Sequence, residues 1–429
     1  MKKLLLVVCY MLAVACVHAQ SNYGVQFSSL LNDNLTLENA IRLGLENNSD
    51  FLVAKQEIAI AEQQLSEAKL RYLPQFSVQG TATWYDADSP MLLPEPGMSR
   101  LLPASNTLDS NRYYGVGISG TQYLYSGGRI SSTLKSARAN LKQVTSKYEA
   151  VKNSTVLDIK VSFARLLYAQ QKAALAQSVW QYVEKWHFSE DPWVALRQKA
   201  LLAQFKNTYH EALNELSQAR LAMLISLNKE NNAPLTLEGT FEPVSIQGDL
   251  PHFQLWATQF RPELKSAIYA IELDSIAIDL ALSKRYPDIL VNASYERVGD
   301  SDLDEQNRQV SLAVRLPIPY TFSQQISQKK AEQKKSTLRR AAIEDSIHNQ
   351  VTSSFEQMMF WQKEAQERQQ TYDNLCALVK RAMRSSSKTG TAALEALQDY
   401  LHTAQDYLHA LLENHTAKAQ LEWAIGKDL

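Results

Sequence analysis

Two hydrophobic periods alternate along the chain. One is a period of about 3.5 residues, typical of helices that pack side by side. It ends just before Pro74 and runs through Ala54, Ile58, Ala61, Leu65, Ala68 and Tyr72. The other is a period of two, which begins directly after Pro74 and is typical of a strand with one apolar and one polar face. The pattern predicts a helix over about residues 49–72 and a strand over about 75–86.

The same two periods organise the rest of the first half. Residues 87–111 contain four prolines and predict a loop, and alternating residues predict a second strand over about 112–125. Gly127 and Gly128 then interrupt the chain, and the helical period returns over about 127–186. Pro192 ends this run, and a further helix is predicted over about 192–228.

An internal repeat relates the two halves of the chain. Asp50, Ala54 and Ile58 correspond to Glu263, Ala267 and Ile271, each 213 residues further along. The second half predicts helices over about 262–286, 323–385 and 391–425 and strands over about 288–298 and 309–319. We therefore predict an internal duplication, with a first repeat over residues 20–228, a linker over 229–252 and a second repeat over 253–429.

The predicted lengths constrain how the helices pack. Each repeat holds one helix of about 60 residues, which at about 1.5 Å per residue reaches about 90 Å. The two shorter helices of a repeat together have nearly the same length. They could lie end to end and antiparallel to the long helix, with the strands protruding from one end of the rod.

Each of the four predicted strands has an apolar face that must be covered. Such faces could pack together in a soluble sandwich, or they could contact lipid. Strand lengths of about ten residues and aromatic residues at the strand ends, such as Trp84 and Tyr114, favour lipid. The predicted lipid-facing residues are Phe76, Val78, Trp84, Val116, Ile118, Ile289, Val291, Val310, Leu312 and Val314.

Four strands in lipid cannot form a closed barrel by themselves, because about eight strands are the working minimum. Backbone groups in lipid must all be hydrogen-bonded, so contact with lipid requires several copies of the chain. Two copies would supply eight strands and three would supply twelve, and the strand pattern does not distinguish these numbers.

Composition and charge exclude several other classes. The chain of 429 residues is 45% hydrophobic and carries 44 basic against 45 acidic side chains, which is too apolar for a disordered protein and too neutral for a nucleic-acid-binding protein. Residues 1–19 have the pattern of a secretory signal peptide, with lipidation at Cys16 as an alternative. Beyond them only Cys376 remains, so no internal disulfide is expected. No later apolar run approaches the length of a membrane-spanning helix.

The order of several motifs resembles the TolC-like outer-membrane efflux protein family. The motifs cover nearly all of the chain after the signal peptide. They are residues 35–40 (LTLENA), 45–48 (LENN), 68–75 (AKLRYLPQ), 116–118 (VGI), 125–129 (YSGGR), 261–264 (RPEL) and 423–426 (WAIG). Each is only moderately specific, but their order and the duplication make the set strong.

The resemblance implies an α+β membrane protein in the outer membrane of a Gram-negative bacterium, extending into the periplasm. It implies a homotrimer, in which twelve membrane β-strands form one β-barrel that continues as a long antiparallel α-helical coiled-coil barrel. The implied partners are outer-membrane lipid, a periplasmic adaptor (membrane fusion) protein and an inner-membrane pump or ATP-driven transporter. The function would be that of a passive exit duct in tripartite efflux or type I secretion. An exported structural coiled-coil tether with a β cap is the alternative.

The resemblance also points to the periplasmic tip of the second repeat, where acidic side chains narrow the pore in this family. By motif, Gly390, Thr391, Glu395 and Gln398 match this tip. Only Glu395 keeps a carboxylate, which implies a weaker anionic constriction. In the first repeat, the tip sequence 187–193 (HFSEDPW) lacks the glycine that the family pattern has.

Three basic residues, Arg381, Arg384 and Lys388, precede the turn at Gly390. Basic side chains are favourable at the C-terminal end of a helix. The alternative interpretation is that they form ion pairs that hold the tip closed. Both interpretations make this cluster a candidate part of the gate.

No motif predicts catalysis or a cofactor. Gly115, Gly117 and Gly120 spell a dinucleotide fingerprint, but they lie inside a predicted strand and not between a strand and a helix. A metal could be bound by the stripe Asp399, His402, Asp406, His409 and Glu413, although a polar helix face is the favoured interpretation. Walker, HExxH and GxSxG motifs are absent. We therefore expect no enzyme activity, no cofactor and no nucleic-acid partner.

Overall fold

The structure is a computed structural model. It describes residues 35–84, 92–95, 98–101, 112–230, 235, 237–299, 303, 305–318, 320–385 and 390–429. The predicted signal peptide with Cys16, most of the predicted loop 87–111, and Lys388 lie outside the described residues.

Helices make up most of the described chain, and there are eight of them. They are α1 (Leu37–Asn47), α2 (Ser49–Leu70), α3 (Arg129–Val183), α4 (Pro192–Ser226), α5 (Leu250–Phe260), α6 (Pro262–Ser283), α7 (Phe322–Ser385) and α8 (Thr391–Ile425). Within the described residues, no helix combines the length and the apolar character needed to cross a bilayer.

Local sequence determines where several helices begin and end. The side chain of Asn48 accepts a hydrogen bond from the backbone N–H of Phe51 and so caps the start of α2. Asp191 caps α4 in the same way and directly precedes Pro192, whose fixed φ suits a first helical turn. Helix α8 ends at Gly426, which has a φ of +79°, a left-handed conformation that favours glycine.

Four strands form one antiparallel sheet. The strands β1 (Gln75–Trp84), β4 (Arg112–Ser126), β5 (Asp288–Gly299) and β6 (Glu305–Arg315) lie in the order β1-β4-β5-β6. The short strands β2 (Leu92–Glu95) and β3 (Met98–Leu101) pair with each other inside the stretch that was predicted to be a loop. The helix-dominated architecture and the four-stranded antiparallel sheet confirm these parts of the predicted fold class.

Helix α3 is at the centre of the helical packing, because α2, α4, α6 and α8 all contact it. The buried seam of α2 consists of Ala54, Ala61 and Ala68, spaced by seven residues. Small side chains at this spacing let two long helices approach closely. Helix α7 packs on α6 near the sheet and on α8 further away, as the contacts of Lys284 with Gln325 and of Arg368 with Asp406 show.

The two halves follow one plan. Helices α2 and α6 are each 22 residues long, and each leads into a strand after four connecting residues. In each half a long helix then follows the second strand, α3 in one half and α7 in the other. The division into two repeats with a linker stays a prediction.

Two boundaries differ from the alternation in the sequence. Residues 316–318 lie beyond β6, although the final strand was predicted to reach residue 319. Pro317 has no backbone N–H to donate to a neighbouring strand. Strand β6 instead begins at Glu305, four residues before its predicted start at residue 309, and Glu305 pairs with Val298. Helix α5 was not predicted, and it is held by the buried side chains of Phe253 and Ala257.

Candidate functional site

One face of the sheet is apolar and exposed. The strand register places Val78 beside Ile118, and Ile118 beside Tyr295, all on this face. Val78 is 77% exposed and Val310 is 80% exposed, values that are unusual for valine in a sheet. The other predicted lipid-facing residues lie on the same face and are exposed or half-buried: Phe76, Trp84, Val116, Ile289, Val291, Leu312 and Val314.

The opposite face of the sheet is mainly polar. Ser77 and Ser119 are paired across β1 and β4, and their hydroxyl oxygens are 2.7 Å apart. Further along the sheet, Thr121, Asn292 and Ser311 form one cross-strand row on this side. The sheet therefore separates an apolar surface from a polar one.

The apolar band crosses the sheet obliquely. On β1 it reaches Trp84, whereas the residues of β5 and β6 at the level of Gly80 are Arg297 and Gln306. On β6 the apolar residues begin at Val310 and continue towards the helices. Strands in a barrel wall are tilted relative to the barrel axis. A lipid-facing band parallel to the membrane would therefore cross such strands obliquely.

The sheet has two open edges in the described chain. Strand β1 pairs only with β4, and β6 pairs only with β5. Each edge strand therefore presents one row of backbone groups to a further strand.

The junction between sheet and helices is tightly built. Arg129, at the start of α3, donates a hydrogen bond to Asp288 at 2.8 Å and lies over the ring of Tyr123. Gly127 has a φ of +58°, and a Cβ there would lie 2.8 Å from the backbone oxygen of Ser283. These contacts fix the angle at which the strands meet the helical rod.

At the other end of the rod, the ends of the α3–α4 and α7–α8 helix pairs meet in an apolar cluster. Leu394 and Leu397 of α8 are buried there against α3 and α4. The cluster also contains Val179, Val183, Trp186, Leu201, Phe205 and Leu401. The two hairpin tips are thus packed against each other within one protomer.

The predicted tip residues lie around this cluster. Glu395 is exposed on α8, and its Oε1 is 3.3 Å from a guanidinium nitrogen of Arg197 on α4. Gln398 is half-buried on the same helix, Gly390 is the residue that precedes α8, and Thr391 is its first residue. Arg381 and Arg384 lie in the last turns of α7. The Arg197–Glu395 ion pair joins the two hairpins.

Two residues with contacts at the tip were not predicted from the sequence. Arg197 precedes Glu395 by 198 positions, so no local pattern connects them. Gln198 is completely buried and accepts a hydrogen bond from the backbone N–H of Ser189, which closes the first hairpin turn. Trp193, in contrast, is 80% exposed. Asp191 holds the backbone of this turn and leaves the indole ring at the surface.

Tyrosines line the contact between α7 and α8 above the tip. The ring of Tyr372 stacks on Tyr400 and on Tyr407, with centroid distances of 6.1 Å and 5.3 Å. Burial, with a further contribution from Tyr372, raises the pKa of the Tyr400 hydroxyl. Cys376 lies half-buried at this seam. The Tyr400 hydroxyl therefore stays neutral at physiological pH, and the three rings act as packing groups.

The other motifs also have structural places. Gly120 lies within β4, where its cross-strand partner is Phe76, so the glycine triplet does not open a helix. His409 contacts the rings of Tyr168 and Trp361 and lies 3.8 Å from Glu413. In the described part of the chain, no three His, Cys, Asp or Glu side chains are arranged to hold a metal ion.

The chain is similar to one known protein family and to several solved structures. Residues 40–185 match the family of outer membrane efflux proteins. The resemblance to TolC-like outer membrane efflux proteins is confirmed. The matching family is one of outer membrane proteins. No curated protein matches the chain in sequence.

Solved structures share the fold over most of the chain. The open-state MtrE outer membrane channel of Neisseria gonorrhoeae has a TM-score of 0.72 and 18% identity, covering 91% of this chain and 89% of that chain. The outer membrane protein VceC of Vibrio cholerae has a TM-score of 0.72 and 12% identity, covering 91% and 96%. The CmeC outer membrane channel of Campylobacter jejuni has a TM-score of 0.68 and 15% identity, covering 95% and 93%. At these identities the similarity shows the fold alone.

Proposed function

We propose that the protein is the outer-membrane exit duct of a tripartite efflux or type I secretion system. It would conduct substrates passively through a water-filled channel, with the energy supplied by its partners. The observation that carries this proposal is the exposed apolar face of a sheet whose two edges are open.

The open edges support closure by further copies of the chain. An apolar face in lipid requires that every backbone group of the sheet be paired, and β1 and β6 can satisfy this requirement only across a protomer boundary. Three copies would supply twelve strands. The resemblance to the TolC-like family implies this number.

The helices extend the duct away from the membrane. At about 1.5 Å per residue, the 55 residues of α3 and the 64 residues of α7 reach about 80 Å and about 95 Å. An open groove of about 850 Å³ is lined mainly by α7, with Gln420 and Trp423 of α8 and Leu157 of α3 at its border, and most of its side chains are amides and hydroxyls. A polar groove along such helices suits the wall of a water-filled channel.

The tip would be the gate and the contact with the partners. Arg197 and Glu395 connect the two hairpins of one protomer, so separating the hairpins must break this pair. Phe188 and Trp193 are exposed apolar side chains at the first hairpin. We assign them to contact with the periplasmic adaptor, which in turn would recruit the inner-membrane pump or ATP-driven transporter.

The alternative function is a structural tether with a soluble β cap. A soluble cap would need a second layer over the apolar face. In the described chain no helix or strand covers Val78, Val310 or Leu312. This exposure favours the duct.

Reconstitution into planar lipid bilayers tests the proposal. The purified full-length protein should produce discrete ion-conducting steps and should be extracted from membranes only with detergent. A protein that is soluble without detergent and gives no conductance would contradict the duct and support the tether.

A further inference from the structure

Two arginines lie on the apolar face of the sheet, at the end of the strands away from the helices. Arg308 pairs with Tyr295, which lies on the apolar face beside Ile118. Arg297 is two residues beyond Tyr295 on β5, so it belongs to the same face. The two arginines are diagonal neighbours, about 7–8 Å apart in antiparallel strands, and both are exposed. Their guanidinium groups can therefore contact one ligand together.

No carboxylate neutralises these two arginines in the part of the chain that the structure describes. Neither of them makes an ion pair there. The acidic residues of the four-stranded sheet belong to its polar face by register, and they are Asp288, Glu296 and Glu305. The guanidinium carbon of Arg308 lies 5.7 Å from the ring centroid of Tyr295. A contact with a neutral ring holds the charge in place without neutralising it.

The height of the arginines matches one border of a membrane. On β6 and the residues after it, exposed apolar side chains of this face run from Val310 to Ile318. Arg308 is ten residues from Ile318, or about 33 Å along an extended chain. For a strand tilted by about 40° this is a height of about 25 Å, which equals the apolar band of an outer-membrane barrel. The helices leave the sheet at its other end, so in the proposed duct the arginines lie at the headgroups of the outer leaflet.

The surroundings of the arginines favour a ligand with both a phosphate and acyl chains. Guanidinium groups bind phosphate through pairs of parallel N–H···O hydrogen bonds. Exposed apolar side chains, Val116 and Val310, lie on the same face beside and below the arginines. Free phosphate would contact the arginines alone, whereas a phosphorylated lipid would also cover these valines. Charge and apolar surface together therefore indicate a lipid.

We infer that Arg297 and Arg308 together bind a phosphate of lipid A, a phosphorylated lipid of the outer leaflet, whose acyl chains lie against Val116 and Val310. This inference rests on the proposed duct, because that function places the sheet in the outer membrane. The bound headgroup fixes the depth of β5 and β6 in the membrane.

Native mass spectrometry of the detergent-purified full-length protein tests the site, with diphosphoryl lipid A as the probe. Arg297→Gln with Arg308→Gln should bind the probe about 30-fold more weakly, because each basic residue near an anionic lipid contributes about fivefold. Arg297→Lys with Arg308→Lys should keep part of the binding, since lysine retains the charge but not the paired N–H groups. The matched control is Arg315→Gln with Lys330→Gln, which removes two exposed charges near the opposite end of the sheet. It should bind lipid A like the wild type.

Two additions identify what the arginines bind. Inorganic phosphate at the concentration of lipid A should not displace the lipid, and displacement would overturn the lipid in favour of free phosphate. EDTA should leave the binding unchanged, because arginines need no metal ion. Loss of binding in EDTA would overturn the direct contact and assign it to a cation held by Asp300, Asp302 and Asp304, which separate β5 from β6 in the sequence.

Conductance in planar bilayers separates this site from the proposed function. If the Arg297→Gln, Arg308→Gln variant conducts and binds lipid A as tightly as the wild type, the site is overturned and the duct stands. If the wild type neither conducts nor binds lipid A, both proposals fall.

Discussion

Single side chains connect the two hairpins at the helical tip. Arg197 and Glu395 are both largely exposed, so their ion pair is worth about 0.5 kcal/mol. A pair of this strength can bias the tip towards the packed arrangement without locking it. The buried leucines of α8, Leu394 and Leu397, must supply most of the stability of this arrangement.

Glu395→Gln should shift the tip towards its open form by about twofold, because the lost pair is worth about 0.5 kcal/mol. Single-channel recording should show a higher open fraction at low salt and little difference at high salt, where exposed pairs are screened. Glu190→Gln, an exposed change at the first hairpin, is the control. Equal open fractions for Glu395→Gln and the wild type at low salt would exclude a gating role for the pair.

Two neighbouring glycines allow a sharp test of the sheet–helix junction. Gly127 and Gly128 both have positive φ, but only at Gly127 would a Cβ collide with its surroundings, Tyr286 and Ser283. Gly128→Ala should cost about 1 kcal/mol from backbone strain, and Gly127→Ala should cost clearly more. Thermal unfolding of the detergent-purified proteins measures both. A similar loss for the two variants would show that the junction tolerates the added atom.

At the scale of elements, one buried amide holds the connection between the two halves against α8. The side chain of Asn414 accepts a hydrogen bond from the N–H of Val244 at 2.8 Å and donates one to its carbonyl at 3.0 Å. Gln362 and His415 bind the same segment at Ile246 and Glu242. The connection is therefore part of the helical wall and not a free linker.

Asn414→Ala should release this segment, because it leaves two backbone groups without partners at a cost of about 2 kcal/mol. Limited proteolysis should then cut between residues 237 and 249 faster than in the wild type. His402→Ala, an exposed change on the same helix, is the control, and the protease should cut it at the wild-type rate. A segment that stays protected in Asn414→Ala would show that apolar contacts alone hold it.

The same segment should respond to pH through His415. Burial lowers the pKa of His415 below its usual 6.5, so the bound segment takes up fewer protons than the released one. Its stability is complete above pH 6.5 and is lost as the pH falls from there through the lowered pKa. Proteolysis of this segment should accelerate between pH 7.5 and pH 5.5, and His415→Gln should remove the pH dependence. An unchanged pH profile in His415→Gln would assign the effect to other groups.

Helices and strands with a regular hydrophobic period could be predicted from the sequence. Contacts between elements that are far apart in the sequence could not. The alternating residues around Val78 and Val310 identify strands because a one-sided environment repeats every two residues. The same rule extended the last strand to residue 319, since alternation contains no information on the missing N–H of Pro317. The pair of Arg197 with Glu395 depends on how two hairpins meet, which no local pattern records.

At the scale of the whole molecule, a single protomer is incomplete. In the part of the chain that the structure describes, it exposes an apolar sheet face, two open sheet edges and apolar side chains of α2 and α7, such as Ile60 and Leu338. Each of these features raises the free energy of a single protomer. One ring of copies in a bilayer would cover the apolar surfaces and pair the backbone groups of the sheet edges together. Assembly and membrane insertion are therefore expected to be coupled.

The most direct test places nitroxide labels one at a time on β6, from residue 309 to residue 314, in the protein reconstituted into lipid vesicles. The account predicts an alternating pattern. Labels at Val310, Leu312 and Val314 should collide with oxygen dissolved in lipid, and labels at Ser311 and Ala313 with a water-soluble relaxing agent. Uniform access to water along β6, or shielding of the apolar positions from both agents, would contradict a sheet that faces the bilayer.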